Sequence, residues 1–369
     1  MTTPSFLTRR PGRRPCLSLV VATVCLLLLP ITQAWAAKQT VIPVLTCPFG
    51  CGIVAMESQL AAQMARDGSP VMVAGQETPG FNYNLRTLIR EKHRWKTDAF
   101  ATTGFILAIA PHGGHGLVKS AFPKPLETHG KIKLLFSTLD DEAAKFFVTF
   151  DPHIKTIADL KGKKVGIGLR KESEFGLAAN LILRHYGITP ANTHIRHAPP
   201  AALASQLLNG SVDAIVVTMG SEATNKIWPV IGSQQKVTAA AKSSGRKLYY
   251  VGLDKSAIEA INKKWGVNLV AKTIPANTFP MQNKTIVVGM DRNLRAVHVG
   301  FPDKVAYQYI MAIAKAGPKL KKAGGIWGLW SPQQMVSGLT NANVQPGAKR
   351  AYEKLGWWKL RKKTAPARY

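Results

Sequence analysis

Short apolar segments bounded by turn residues recur along the first part of the chain, separated by stretches with apolar positions three or four residues apart. The apolar segments predict strands at 41–46, 70–75, 97–103, 131–137 and 145–150. The wider spacing predicts helices at 53–66 and near 82–92. Because strands and helices alternate, this part of the chain predicts a mostly parallel sheet covered by helices.

A second set of alternating elements begins at residue 156. Its predicted strands lie at 165–168, 212–218 and 247–253. Its predicted helices lie at 174–186 and 255–265, with a third between them that starts at Pro199-Pro200 and ends at Asn209-Gly210. A strand at 284–291 and a helix at 302–316 follow. We therefore predict an α/β fold in which one α/β unit is inserted within another.

The N-terminus has the pattern of a secretory signal peptide. Residues 9–14 contain four arginines, residues 17–29 are almost wholly apolar, and residues 34–36 read AWA. The apolar run is shorter than the roughly 20 residues that span a bilayer, which argues against an uncleaved anchor. We expect cleavage after residue 36 and a periplasmic location.

The chain is strongly basic, with 49 Lys and Arg against 20 Asp and Glu. Loss of residues 1–36 would leave a net charge of about +25. The lysines are scattered, and no helix-turn-helix or zinc-finger pattern occurs, so we expect no nucleic-acid partner. A basic surface would instead attract anionic solutes. The length of 369 residues favours two domains.

The sequence lacks the motifs of several enzyme classes. Gly166 and Gly168 follow a predicted strand, but Lys171 stands where a dinucleotide site needs its third glycine. No nucleophile elbow or P-loop occurs. His112 and His115 frame a glycine turn and could bind a metal only with further ligands. We predict a protein that is not an enzyme and needs no cofactor.

Cys47 and Cys51 lie four residues apart in the segment TCPFGCG, directly after the first predicted strand. Such a pair can bind a metal, act as a redox pair or form a disulfide. The disulfide fits an exported protein best. By chain entropy so small a loop adds only about 2 kcal/mol of stability. Its position matters more, because ligands bind at the carboxyl ends of parallel strands.

Four segments carry a resemblance to a known family. They are ADLKGKKVGIG at 158–168, PAALASQLLNGSVDAIVV at 200–217, TIPANTFPMQNKTIVVGM at 273–290 and QPGAKRAYEKLGWW at 345–358. In their order and spacing they resemble the TAXI group of solute receptors, which serve TRAP transporters. The resemblance extends over nearly the whole chain beyond the signal peptide.

The resemblance implies a two-lobed fold of the periplasmic-binding-protein kind (type II), with a mixed, mostly parallel sheet flanked by helices in each lobe. Lobe one would comprise residues 38–148 and 278–369, and lobe two residues 149–277. A small anionic solute, a carboxylate or an amino-acid-like molecule, would bind in the cleft between the lobes. The protein, a monomer, would deliver it to the membrane subunits of a TRAP-type transporter.

The resemblance also places ligand contacts in the loops that follow strands. Arg170 is the candidate cation, because guanidinium can bind a carboxylate through two hydrogen bonds. The loops containing Cys47 and Arg170 depart from the family pattern, and they are the loops that would determine the ligand. The other candidate contacts are Thr46, Phe49, Gly50, Thr78, Gly80, Tyr83, Asn84, Thr102, Thr103, Ser173, Thr218, Met219 and Gly220.

Three other functions remain open on the sequence alone. A receptor for an ABC permease would have a similar fold. An exported metal or redox protein would use Cys47 and Cys51 with His112 or His115. An exported hydrolase would need a nucleophile constellation, and the sequence contains no recognisable one.

Overall fold

The computed structural model describes residues 39–221, 228 and 232–363, apart from the side chains of 139–144, 362 and 363. The predicted signal peptide lies outside these residues. The strands are β1 (Thr40–Leu45), β2 (Val71–Gln76), β3 (Ala99–Thr103), β4 (Ile132–Thr149), β5 (Lys164–Ile167), β6 (His194–His197), β7 (Ala214–Val217), β8 (Tyr249–Val251), β9 (Val270–Ile274) and β10 (Ile286–His298). The helices are α1 (Gly52–Arg66), α2 (Phe81–Arg90), α3 (Gly104–Ile109), α4 (Glu174–His185), α5 (Pro200–Leu208), α6 (Gly232–Ser244), α7 (Lys255–Trp265), α8 (Asp303–Ala323), α9 (Pro332–Met335) and α10 (Pro346–Lys354).

The strands form one mixed sheet in the order β2-β1-β3-β10-β4-β7-β5-β6, with β8 paired to β4 and β9 to β10. Two groups of strands within it are parallel, namely β1 with β2 and β3, and β5 with β6 and β7. The predicted mixed α/β fold is therefore confirmed. Because both groups are parallel, each has its carboxyl ends, and the loops that follow them, along one edge.

Two long antiparallel strands, β4 and β10, connect the two parallel groups. The first part of β4 pairs with β10, and its last residues pair with β7 and β8. The sequence pattern predicted two strands here, at 131–137 and 145–150, because the polar residues between them interrupt the apolar pattern. This prediction was wrong in that β4 runs on without a break from Ile132 to Thr149. Pairing of Asp291 with Glu142 and of Asn293 with Leu139 continues the ladder through the polar stretch.

A buried ion pair connects α1 to β10. Glu57 and Arg295 contact each other through Oε1 and Nη2, and neither side chain has any exposed surface. Desolvation raises the pKa of Glu57, and the attraction of Arg295 opposes this effect. The ring of Phe136 lies 5.9 Å from the Arg295 guanidinium. The layer between this helix and the sheet therefore depends on a charge pair as well as on apolar packing.

The start of α4 lies very close to the end of β5. A Cβ atom added at Gly168 would lie 2.6 Å from the backbone nitrogen of Gly176, a distance that real side chains do not reach. Gly168, the second glycine of the segment that departs from a dinucleotide motif, thus has a packing role here. It lets the N-terminus of α4 come close to the sheet edge.

Candidate functional site

A cavity of about 700 Å³, counting the space open to solvent at its mouth, lies where the loops of the two parallel groups meet. Loops or residues at the ends of all six parallel strands line it, and β4 and β10 each contribute one side chain. The lining residues are Cys47, Pro48, Gly50, Cys51, Gly52, Gly80, Phe81, Thr103, Lys145, Ser173, Glu174, Phe175, Pro200, Thr218, Gly232, Ser233 and Asn293.

Two opposite charges meet in this cavity. Lys145 extends from β4 and Glu174 from the first turn of α4, and their Nζ and Oε1 atoms lie 3.2 Å apart. Only 1% of the lysine side chain and 5% of the glutamate side chain are exposed. The Phe175 ring centre lies 6.0 Å from the ammonium group. Removing either charge of such a buried pair would destabilise the protein, because the other charge would be left buried without a partner.

The N-terminus of α4 forms part of the same wall. Ser173 precedes the helix, and its Oγ accepts a hydrogen bond from the Gly176 N–H at 3.3 Å. Ser173, Glu174 and Phe175 all line the cavity. The first turn of a helix carries a partial positive charge and N–H groups without intrahelical acceptors. This wall therefore favours an anionic group beside Lys145.

Asp291 lies next to the cavity on β10. Its Oδ2 accepts a hydrogen bond from the Phe105 N–H at 2.5 Å, and its Oδ1 accepts one from the Arg292 N–H at 2.6 Å. Burial and the nearby charge of Glu174 raise the pKa of Asp291 to about 6, despite these hydrogen bonds. Asp291 thus lies close enough to Glu174 for the two carboxyl groups to influence each other's charge.

The free energy of unfolding should depend on pH through Asp291. The pKa of Asp291 is about 6 in the folded protein and ordinarily 3.8. Between pH 3.8 and about 6 this carboxyl group is therefore protonated more in the folded chain than in the unfolded chain. Stability contributed by this group should therefore fall as pH rises from about 4 to about 6, by about 3 kcal/mol in total. Asp291→Asn cannot titrate. Urea denaturation should show the stability of wild type relative to this variant decreasing by that amount between about pH 4 and pH 7.

Acidic groups that do not interact with Asp291 titrate in both proteins and cancel in this comparison. A difference in stability that stays constant across the pH range would contradict the raised pKa of Asp291.

Cys47 and Cys51 form a disulfide at the wall of the cavity. The Cys51 N–H donates to the Pro48 carbonyl oxygen at 3.0 Å, which closes a tight turn. The Phe49 N–H donates to Glu77 Oε1 at 2.6 Å. Phe49 itself is 72% exposed. Within the described parts of the chain, no three His, Cys, Asp or Glu side chains converge on a possible metal site.

The loop before α2 contacts the loop before α4 across the cavity. Gly80 has a φ of +143°, and a Cβ there would lie 2.6 Å from the Glu172 carbonyl oxygen. The Asn82 N–H donates to that oxygen at 3.1 Å, and Arg86 forms an ion pair with the Glu172 carboxylate. Only glycine adopts such a backbone conformation readily. This contact closes one side of the cavity.

The structure brings part of the predicted site together. Seven predicted residues line the cavity, and they are Cys47, Gly50, Cys51, Gly80, Thr103, Ser173 and Thr218. Nine predicted residues are not among its lining, and they are Thr46, Phe49, Thr78, Tyr83, Asn84, Thr102, Arg170, Met219 and Gly220.

Several residues of the second set hold the loops in place. Asn84 is fully buried, and its Nδ2 donates to the carbonyl oxygens of Leu45, Thr46 and Ala101 at 3.2, 2.7 and 3.0 Å. Thr78 Oγ1 donates to the Thr46 carbonyl oxygen at 3.0 Å. These bonds fasten the ends of β1 and β3 together. Arg170, in contrast, is exposed.

Lys145, Glu174, Asp291 and Asn293 were absent from the predicted site. Three of them had a signal in the sequence. Lys145 opens an otherwise apolar strand segment, KFFVTF, and Asp291 and Asn293 follow the apolar run TIVVGM. A charged residue inside a buried strand needs a partner of opposite charge, so such a residue is a candidate site residue.

Comparisons with known proteins give one matching family and several similar solved structures. Residues 124–356 match the family described as the NMT1-like family. Among solved structures, the chain is similar to the periplasmic binding protein BugD, with 14% identity, 88% of this chain and 97% of that one covered, and a TM-score of 0.47. A structure described as a periplasmic transporter has 13% identity, coverage of 87% and 95%, and a TM-score of 0.45. MatC from Rhodopseudomonas palustris with bound malate has 12% identity, coverage of 87% and 99%, and a TM-score of 0.44.

Proposed function

The chain belongs to the NMT1-like family, and on that premise we propose that it is a periplasmic solute-binding protein that captures a small solute in the cavity described above. One observation carries this proposal, namely that the ends of six parallel strands surround one cavity containing a buried ion pair. In open α/β sheets, ligands bind at the carboxyl ends of the strands. The protein has no catalytic step in this proposal.

The two parallel groups with their helices form the two lobes, residues 38–148 with 278–369 and residues 149–277. Strands β4 and β10 pass between them and act as the hinge. The contact between Gly80 and Glu172 belongs to the closed arrangement, and solute enters when it opens. Hinge closure around a ligand removes water from the charged groups and so strengthens their interactions.

The charges of the cavity favour an amino-acid-like solute over a simple carboxylate. A carboxylate that took Lys145 from Glu174 would leave a buried glutamate without a cation, which is costly. A solute carrying both a carboxylate and an ammonium group can satisfy both side chains at once. Phe81 and Phe175 offer apolar contact for its remaining part.

We also propose that the protein delivers its solute to the membrane subunits of a TRAP-type transporter, as the TAXI group does. A receptor for an ABC permease is the alternative. Within the described residues no helix is both long and apolar enough to cross a bilayer. Co-purification of the tagged protein with membrane subunits of one type or the other would distinguish the two.

Native mass spectrometry of the protein purified from the periplasm without reductant tests solute binding. We expect a small organic adduct, and a shift of the melting temperature with amino acids but not with the same acids lacking the amino group. A metal-sized adduct lost on adding chelator would instead support the metal-binding alternative. No adduct, and no shift with any compound of either set, would contradict the proposal.

Removal of the disulfide should weaken solute binding as well as folding. In the variant Cys47→Ser with Cys51→Ser, the loop must be ordered on binding, and we expect a dissociation constant about three- to tenfold higher. Stability should fall by about 2 kcal/mol at most. Calorimetric titration and urea denaturation measure the two effects.

The matched control for this loop is Phe49→Ala, which keeps the disulfide and removes an exposed ring. Its dissociation constant should stay within about twofold of wild type, since an exposed side chain outside the lining contributes little. Equal dissociation constants for wild type and the double serine variant would show that the disulfide does not order the loop for binding.

A further inference from the structure

The segment from Pro275 to Asn283 belongs to one of the four stretches that resemble the TAXI group, yet it is absent from the cavity lining. Its loop is organised by Gln282, which is 3% exposed. The Gln282 side chain accepts a hydrogen bond from the Phe279 N–H at 3.0 Å and donates to the Pro275 and Lys284 carbonyl oxygens at 3.0 and 2.8 Å. The Asn277 N–H donates to the Gln282 carbonyl oxygen at 2.8 Å. These hydrogen bonds fix the conformation of the loop.

This loop also contains unusual backbone. Asn277 and Met281 have φ values of 65° and 66° and are the non-glycine residues with positive φ in the described chain. Such a conformation is uncommon for Met and persists only when neighbouring contacts enforce it. Tyr250 Oη donates to the Pro280 carbonyl oxygen at 2.9 Å. The Phe279 ring stacks on Tyr250 and Phe146, with ring centres 5.7 and 6.3 Å away.

The loop forms one wall of two adjoining cavities that share Lys247, Met281, Gln282 and Asn283. We name them together the basic groove. Their volumes, with the space open to solvent, are about 710 and 860 Å³, and they share no lining residue with the solute cavity. The full lining is Pro152, Ile154, Lys155, Ala241, Lys242, Gly245, Arg246, Lys247, Leu248, Tyr249, Tyr250, Asn277, Met281, Gln282, Asn283, Lys284 and Ile286.

The lining of the basic groove contains no Asp or Glu. Its five cationic side chains are Lys155, Lys242, Arg246, Lys247 and Lys284. All five are exposed, and across the described residues none of them forms an ion pair. Two are already held against aromatic rings, because Arg246 lies 3.7 Å from the Phe150 ring centre and Lys247 lies 5.4 Å from that of Tyr249. Lys155 has a nearby counter-charge in Asp159, which lies outside the lining. The like charges gathered in the groove repel each other, and an anionic partner would relieve this repulsion.

From this geometry we infer that the basic groove is a docking site for an acidic, extended segment of a partner protein. Charge complementarity selects Asp and Glu side chains as the occupants. The concave shape selects a peptide over a lipid surface, because an extended segment can lie along the floor of the groove, which a flat bilayer does not enter. Tyr249, Tyr250 and Met281 would contact the apolar parts of the segment, and Asn277 and Asn283 its backbone. The inference does not depend on which solute fills the other cavity.

Fluorescence anisotropy with a labelled short oligoglutamate peptide tests the docking site on the whole secreted protein. The groove variant combines Lys155→Gln, Lys247→Gln and Lys284→Gln. The control variant combines Lys124→Gln, Lys321→Gln and Lys322→Gln, which are also exposed and lower the net charge equally. At about 0.15 M salt, charges more than about 8 Å apart are largely screened, so the control change should act weakly.

We expect the groove variant to lower the peptide affinity about tenfold or more, and the control variant less than about twofold. Equal losses in the two variants would overturn the docking site, because binding would then reflect net charge alone. Vesicles containing an anionic phospholipid serve as the second probe. If the groove variant lost vesicle binding but kept peptide binding, the groove would be a membrane contact and the inference would be wrong.

Unchanged solute affinity in the groove variant would show that the protein is folded. This readout also keeps a failure of the docking site distinct from a failure of the proposed solute binding.

Discussion

Replacing Lys145 with Met is expected to remove most of the solute affinity. The ammonium group is nearly fully buried in the cavity beside the N-terminus of α4, so a bound carboxylate would depend on it without competition from water. Truncating one partner of a buried charge pair costs about 2–4 kcal/mol, which is on the order of 30- to 1,000-fold in dissociation constant. Calorimetric titration with the solute that co-purifies with the wild-type protein measures the effect.

The matched control is Arg170→Ala. Arg170 was the cation that the sequence suggested, but its exposed position outside the lining predicts a change of less than about twofold. Urea denaturation of both variants separates lost binding from lost folding, since Lys145→Met also leaves Glu174 without its cation. Weak binding in Arg170→Ala together with normal binding in Lys145→Met would reverse the assignment of the two residues.

The largest effect on stability is expected from Arg295→Met. This change leaves the Glu57 carboxylate in a fully buried position without its cation. Removing one member of a buried ion pair costs about 3–5 kcal/mol at neutral pH. Glu57 Oε2 already lacks a hydrogen-bond partner, so no second donor is in place to compensate. The free energy of unfolding from urea denaturation gives the measurement.

Two further measurements identify the unpaired charge as the cause. The double variant Glu57→Leu with Arg295→Met removes both charges and should be more stable than the single variant by about 2 kcal/mol or more. Without Arg295 the pKa of Glu57 should be raised further by burial, so the penalty is present above that pKa and declines as the pH falls through it. If the double variant were no more stable than the single one, lost packing would explain the result better than charge.

Much of the secondary structure was predictable because it depends on neighbouring residues. The helix predicted at 255–265 is α7, Lys255–Trp265, and the helix predicted at 53–66 is α1, Gly52–Arg66. Apolar spacing determines such helices locally. Other elements were missed or too short in the prediction. The strand predicted at 284–291 runs to His298 in β10, and the short strand β9 was not predicted.

The site was predictable only in outline. Its loops follow strands, and the sequence located those strands, so predicted residues such as Gly80, Thr103, Ser173 and Thr218 lie in the cavity lining, while their contact with a ligand stays a prediction. Which residue of each loop faces the cavity depends on the path of the backbone. Asn84 and Thr78 have the chemistry of ligand-binding side chains, but their donors are used by backbone carbonyl groups.

By itself the sequence determined the alternation of strands and helices, the basic character of the chain and the position of the cysteine turn after β1, since each of these is a local property. Only the tertiary structure decided that β4 is continuous and that Lys145 meets Glu174 beside Asp291. Those three residues are far apart in the chain. Their burial and their pairing arise from contacts between separate strands and helices, and the energy of a charge depends on that surrounding environment.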